Sequence, residues 1–139
     1  MSRVLLDTHV WLWLAAGAER IKRSSTLKLI EQASDRSELY LASISLWEVS
    51  MLESKGRLRF HSPCLDWIRN ALKMPGLSTV ELSPEIAVES SRLPGEFHGD
   101  PADRILVATA RTLGYLLITQ DEKILNYGKA RFVNAKNLF

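Results

Sequence analysis

Several acidic residues of this chain sit where a carboxylate needs a reason to be. Asp7 closes the apolar run Arg3-Val-Leu-Leu-Asp7, and Asp121 follows another in Thr119-Gln-Asp121. Glu48 lies in a stretch with helical spacing, where its neighbours three and four residues away are Ile44, Ser45, Met51 and Leu52. Most of that set is apolar, so the carboxylate is aimed along a face that packs inward. Asp103 repeats the case ahead of Leu106 and Val107, with Asp100 just before it. A buried charge is costly unless it is paired or bound to metal.

Each acid also has a plainer reading. Asp7, Asp100 and Asp121 can cap helices, and Asp100 is followed by Pro101, a favoured first helical residue. Asp103 then falls in the first turn, where negative charge suits the helix dipole. Glu48 can pair with an Arg or Lys. Taken together the acids suggest more. Carboxylates crowded at one place repel and raise one another's pKa, and a divalent cation relieves the crowding. Oxygen ligands, with one cysteine in the chain and no histidine pair at ligand spacing, select magnesium or manganese. Such an ion works against phosphate oxygens, and the matching chemistry is phosphodiester hydrolysis.

Crowding requires a fold that gathers the acids. The sequence alternates strand-like and helix-like pieces. A buried strand is expected at Arg3–Asp7, a helix from Thr8 to about Ala16 stopped by Gly17, and a helix capped by Ser24 or Ser25 running to about Ser34. Leu39–Ala42 reads as the second strand. Ser43 or Ser45 opens a helix to about Lys55 with Gly56 as its stop, and Arg57–His61 connects onward. Pro63 starts a helix that ends before Pro75-Gly76, and Ser78–Leu82 is the third strand. Ser83-Pro84 opens a helix ending near Leu93-Pro94-Gly95. Asp100-Pro101 opens another, which runs to Leu113 and stops at Gly114. Tyr115–Thr119 is the fourth strand, a short helix covers Asp121–Asn126, and Arg131–Val133 is a fifth strand. Strands separated by helices pair in parallel through right-handed crossovers. The expected architecture is a three-layer α/β/α sandwich with a central parallel sheet of four to five strands. Sites in such sheets lie beyond the carboxyl ends of the strands, which is where Asp7 and Asp121 fall.

Bulk properties agree. The chain has 139 residues, 46% hydrophobic and 24% charged, which suits one globular domain over 1–139 and excludes disordered and low-complexity classes. Cys64 is the single cysteine, so an internal disulfide and multi-cysteine metal sites are excluded. Eighteen Lys+Arg against sixteen Asp+Glu give a net charge of +2, which neither demands nor excludes nucleic acid. The apolar run Val10–Ala18 is far shorter than the ~20 residues that span a membrane. The expectation is a cytoplasmic protein with a buried first helix and no membrane contact.

The ordered set of acids with its flanking residues resembles the PIN domain, and within it the VapC-type toxin ribonucleases of bacterial toxin–antitoxin pairs. The resemblance runs nearly end to end. It is carried by Leu5-Leu-Asp-Thr-His-Val-Trp11, Ala42-Ser-Ile-Ser-Leu-Trp-Glu48, Lys55-Gly-Arg-Leu-Arg59, His98-Gly-Asp-Pro-Ala-Asp-Arg104 leading into Ile105-Leu-Val-Ala-Thr-Ala110, and Leu117-Ile-Thr-Gln-Asp121. It implies an endoribonuclease dependent on Mg²⁺ or Mn²⁺, with Asp7, Glu48, Asp103 and Asp121 as catalytic and metal-binding acids. Asp7 and Asp103 are the firmest ligands on this reading. Asp100 belongs to an Asp-Pro-x-Asp-Arg variant and assists indirectly. Its x position, often aromatic, is Ala102 here, a departure that leaves the acids untouched. Thr119 matches a hydroxyl position that orients Asp121 or a water. The resemblance also implies RNA as substrate, a cognate VapB-like antitoxin in the groove, and a homodimer.

RNA would approach through its phosphates. Lys55, Arg57 and Arg59 form a cationic stretch without a nearby acid, and Arg104 beside Asp103 can meet a phosphate or pair with an acid. The stretch can equally be a solvated loop. Trp11, Trp13, Trp47 and Trp67 can stack on bases, although core packing is the ordinary use of tryptophan in a small α/β domain. His98 lies near the acids, and a surface loop histidine is the plainer reading. Cys64 stands at a helix start, where a thiol pKa can drop, and reads as structural. Two other classes compete. A phosphatase of the haloacid dehalogenase type needs an acid two residues after the first, and that place holds His9; a receiver domain needs an acid pair and a late lysine that are not found. A non-catalytic module with the same fold would be expected to lack one of the four acids, and all are present.

Overall fold

The computed structural model describes residues 2–139. The elements follow in the order β1 (Val4–Leu6), α1 (Thr8–Ala16), α2 (Glu19–Lys22), α3 (Leu27–Asp35), β2 (Leu39–Ala42), α4 (Ile44–Ser54), α5 (Cys64–Ala71), β3 (Leu77–Val80), α6 (Pro84–Ser90), α7 (Pro101–Leu113), β4 (Leu116–Thr119), α8 (Glu122–Lys129) and β5 (Ala135–Asn137). One five-stranded sheet has the order β3-β2-β1-β4-β5, and every pairing is parallel. In register, Leu5 faces Tyr40 on one side and Leu117 on the other.

Strand periodicity explains the layers. Successive side chains of a strand point to opposite faces. Val4, Leu6, Leu39, Leu41, Leu116 and Ile118 enter one core with Trp11, Ile30 and Val49. Leu5, Ala42 and Leu117 enter the other with Ile86, Leu106, Val107 and Ile124. β1 is buried throughout, as a central parallel strand covered on both faces must be. Gly76, at φ +75°, lets the turn into β3 lie against the Ser34 backbone, where a Cβ would collide.

Chain order reverses at β1: β2 lies on one side of it and β4 on the other. The crevice beyond the carboxyl ends of β1 and β4 is the topological switch point of the sheet. Asp7 and Asp121 stand at its edges.

The structure differs from the sequence reading at several edges. The fifth strand is Ala135–Asn137, not Arg131–Val133. Arg131 takes a left-handed φ of 68°, which turns the chain, and Val133 goes into the second core instead. The short helix α2 is additional. The second predicted helix starts at Leu27, and the Ser24 hydroxyl accepts from the Thr26 N–H at 3.0 Å instead of capping it. Helix α6 stops at Ser90, three residues short of Leu93, whose side chain is buried. Strand β3 ends at Val80, and α8 continues to Lys129.

Candidate active site

Asp7 follows β1 directly. Its backbone N–H donates to the Ile118 carbonyl at 3.0 Å, which fixes it against β4. Its side chain makes no capping bond to α1, so the capping reading fails for this acid. Instead Oδ2 accepts from the Thr119 hydroxyl at 2.5 Å. Thr119 is fully buried, and its Oγ1 in turn accepts from the Asp121 N–H at 3.0 Å. One hydroxyl therefore ties the acids of the two neighbouring strand ends together. Burial first, and the Glu48 carboxylate further down, raise the Asp7 carboxyl above the usual range, against pulls from Thr119 and His9.

Asp121 and Asp100 do cap helices. Asp121 Oδ1 accepts from the Ile124 N–H at 3.1 Å at the start of α8, and Asp100 Oδ1 accepts from the Asp103 N–H at 2.9 Å at the start of α7. Asp103 thus sits in the first turn of α7 with its carboxyl half-buried. It is pushed up to about 7, first by burial and then by Asp100, Asp121, Asp7 and Glu48. The other four acids of the groove thus all act on the Asp103 carboxyl. Gly99 leaves room there, since a Cβ on it would stand 2.9 Å from that of Asp103.

Glu48 is half-buried on α4, and among the described residues no Arg, Lys or His pairs with it. The ion-pair reading is therefore replaced by a carboxylate facing the groove. Its helix is held to α1 by the Thr8 hydroxyl, which donates to the Ser45 hydroxyl at 2.8 Å, with both residues buried. Thr8 follows Asp7 and Ser45 precedes Glu48 by one helical turn, so this bond fixes the spacing of the two helices that carry those acids. Ser45 is a small polar residue on an inward apolar face, which is the signal that could have singled it out.

The groove has a volume of about 580 Å³. It is lined by the acids Asp7, Glu48, Asp100, Asp103 and Asp121 together with Gln120, His9, Trp13, Met51, Leu52, Arg57 and Leu58. His9, Met51, Leu52, Leu58 and Gln120 were not assigned to the site from sequence, whereas Trp13 was weighed there as a stacking residue against ordinary core packing. Lys55, Arg57 and Arg59 are exposed and form no ion pair among the described residues; of the three, Arg57 reaches the groove wall.

The remaining expectations divide. Arg104 meets neither acid nor open groove: its Nε donates to the Ser90 carbonyl at 2.9 Å and Nη1 to the Phe97 carbonyl at 2.7 Å. It staples the loop ahead of α7 and so supports Asp100 and Asp103 from behind. Trp11 is core, but Trp47 is 57% exposed and Trp13 lines the groove. His98 is exposed, with Glu96 at 3.7 Å. Burial raises the Cys64 thiol, and the Glu53 carboxylate adds to it, so the helix start does not lower it.

Asp7, Glu48, Asp103 and Asp121 offer oxygen donors and carry no cationic partner among the described residues, and burial together with the neighbouring carboxylates raises Asp7 and Asp103, which is the chemistry a hard divalent cation relieves. They ring the groove rather than converge: among the described residues no three acidic, histidine or cysteine side chains are close enough to hold an ion as placed. The donor types fit such an ion.

Comparison with known proteins follows the same lines. The PIN domain family matches residues 4–130. Ribonuclease VapC22 of Mycobacterium tuberculosis (strain ATCC 25618 / H37Rv) is 34% identical over 131 residues, covering 94% of this chain and 96% of that protein. The crystal structure of VapBC2 from Rickettsia felis bound to a DNA fragment from their promoter superposes with a TM-score of 0.72 at 15% identity, covering 98% of each chain. DNA-bound VapBC from Salmonella typhimurium gives 0.70 at 13% identity over 100% of each chain. At those identities the two structures speak to the fold.

Proposed function

The chain belongs to the PIN domain family, and from that premise we propose that it is an endoribonuclease that hydrolyses RNA phosphodiester bonds with Mg²⁺ or Mn²⁺, the toxin of a toxin–antitoxin pair. The observation that carries the reading is that five carboxylates, from four separate parts of the chain, line one groove at the switch point of the sheet.

Asp7, Glu48, Asp103 and Asp121 would hold the ion. When bound, a divalent cation activates water toward phosphorus and stabilises the leaving oxygen. The chain's own residues prepare the rest. The Thr119 hydroxyl holds Asp7 Oδ2 in one orientation, and the Asp121 N–H holds that hydroxyl. Asp100 fixes the first turn of α7 through the Asp103 N–H. The Asp103 carboxyl, raised to about 7, would have to be deprotonated to serve as a ligand. Arg57 on the groove wall, with Lys55 and Arg59 on the same loop, would offset phosphate charge.

Partners follow from relatives. The solved VapBC structures are toxin–antitoxin assemblies, and an antitoxin covering this groove, with a second copy of the chain in a homodimer, is the assembly proposed here. No helix among the described residues is long and apolar enough to cross a membrane. A second reading, a non-catalytic module of the same fold, draws on the carboxylates' ringing the groove without converging.

The test is cleavage of RNA by purified protein with Mg²⁺ or Mn²⁺. We expect cleavage that chelation stops and that Asp7→Asn or Asp103→Asn abolishes. Full activity in either variant would overturn the site assignment. Millimolar Mn²⁺ that gives no heat of binding in calorimetry would favour the non-catalytic module.

A further inference from the structure

Gln120 stands in the chain between Thr119 and Asp121, and it lines the groove, yet no step described so far uses it. Half of its carboxamide is committed elsewhere. Oε1 accepts from the Leu138 backbone N–H at 2.8 Å. A backbone N–H can only donate, so the oxygen of the amide, and not its nitrogen, must stand there. That bond settles which way the group is turned. Nε2 is left with two N–H donors and no hydrogen-bond partner among the described residues. Among those residues no buried side-chain nitrogen or oxygen lacks a partner, so Nε2 is open to solvent, and Gln120 meets solvent on the groove wall.

The amide is held firmly. Leu138 is fully buried in the first core, and the Ser24 hydroxyl donates to its carbonyl. The Thr26 hydroxyl, on a buried residue, donates to the Asn137 carbonyl at 2.9 Å. The backbone at 137–138 is thus strapped by Ser24, Thr26 and Gln120, of which only Gln120 lies on the groove. On its own backbone Gln120 is pinned between the end of β4 and the Asp121 N–H bond to Thr119. An uncharged donor suits this place, because a Lys or Arg between these acids would pair with them in place of a metal. A fixed amide that shows only N–H groups selects an acceptor, and beside a cation held by carboxylates the acceptor at hand is an anionic oxygen. We propose that Gln120 is a phosphate-binding residue: Nε2 donates to a non-bridging oxygen of one phosphate of the RNA, and the Leu138 N–H holds the amide in the donating orientation. The assignment rests on the nuclease reading and adds to it a residue outside the acids.

The test reads binding of uncut RNA. Full-length protein carrying Asp103→Asn is titrated with a single-stranded RNA octamer in which one phosphate at a time is replaced by a methylphosphonate, which removes the charge and one non-bridging oxygen. Gln120→Met, added to this protein, keeps the length and loses the donors. It should weaken binding about 10-fold. At one position the methylphosphonate should weaken binding to the Gln120 protein by as much, and weaken binding to the methionine variant no further. Gln120→Glu keeps an acceptor for the Leu138 N–H and has no donor. Its Tm should match that of the Gln120 protein and its Leu138 amide should stay protected from hydrogen exchange, while at the same position it should bind the methylphosphonate more tightly than the phosphate. A residue that only anchors the strap predicts the reverse: glutamate binds RNA as glutamine does, and methionine loses affinity whichever phosphate is replaced. That pattern, or equal affinity of all three proteins, would overturn the assignment. The expected pattern in a protein whose Asp103 form cuts no RNA would sink the nuclease reading by itself. Cutting by that form, with no position that depends on Gln120, would sink the phosphate contact by itself.

Discussion

The two banks of the acid groove are built differently. On the α7–α8 bank, Asp100 and Asp121 each accept a backbone N–H and start a helix, so their carboxylates have structural employment. On the α1–α4 bank, neither Asp7 nor Glu48 caps anything. They are placed by side-chain hydroxyls: Thr119 on Asp7, and the Thr8–Ser45 pair between the helices. A carboxylate that serves the fold can be kept for the fold. One that costs burial energy and serves no cap must be kept for something else. Asp103 belongs with the second kind, since it is a receiver of its bank's capping and is itself pushed up by its neighbours.

Breaking that contrast starts with the unemployed acids. Asp7→Asn or Glu48→Gln should lower cleavage by about 10²–10³-fold while leaving thermal stability unchanged or raised, as read by gel assay and calorimetric melting. A collapse of stability in either variant would show that these acids hold the fold after all. Next in size is Thr119→Val, which keeps the shape and removes the hydroxyl shared by Asp7 and Asp121. Mn²⁺ affinity should drop roughly 10- to 100-fold, measured by titration calorimetry. An unchanged affinity would mean that Asp7 is oriented by something else.

The pH dependence sharpens the same contrast. Asp103 is raised from an ordinary 3.8 to about 7, so between those values the folded chain retains a proton that the unfolded chain has released. Metal-free protein should therefore be most stable below about pH 4 as far as this group decides, and lose stability as pH rises through 7. The loss should be roughly 1 kcal/mol once partial exposure is allowed for, or a few degrees in Tm. Asp103→Asn should flatten the curve, and saturating Mg²⁺ should lift its alkaline arm. A melting profile with the opposite slope in both proteins would remove the crowding argument. The smallest expected effect is on the employed bank: Asp100→Ala should cost about 1 kcal/mol of stability through the lost cap, and Asp100→Asn almost none. A loss of cleavage by Asp100→Asn as large as that of Asp7→Asn would place Asp100 among the ligands.

Much of this was legible in the chain. Apolar runs ending in acids gave the strands and their carboxyl ends, and Ser83-Pro84 and Asp100-Pro101 marked helix starts that the structure keeps, with side-chain caps at 3.2 and 2.9 Å. Glu48 stood out because its helical neighbours were apolar. What could not be read depends on contacts between distant segments. Arg131–Val133 has the composition of a strand, yet core packing of Val133 and a left-handed Arg131 move the pairing to Ala135–Asn137. Arg104 looked free beside an acid, and two backbone carbonyls claim it. Trp13 and Trp47 have the same residue type as Trp11, and only the direction each takes from its helix separates groove, surface and core.

The bond between Thr119 and Asp7 spans 112 positions of sequence. A ribosome making this chain emits the first acid 112 residues before the hydroxyl that orients it. Until β4 slides in beside β1, the growing polypeptide is a set of unaligned charges. An acid pair joined in this order has no shared hydroxyl before β4 has paired with β1.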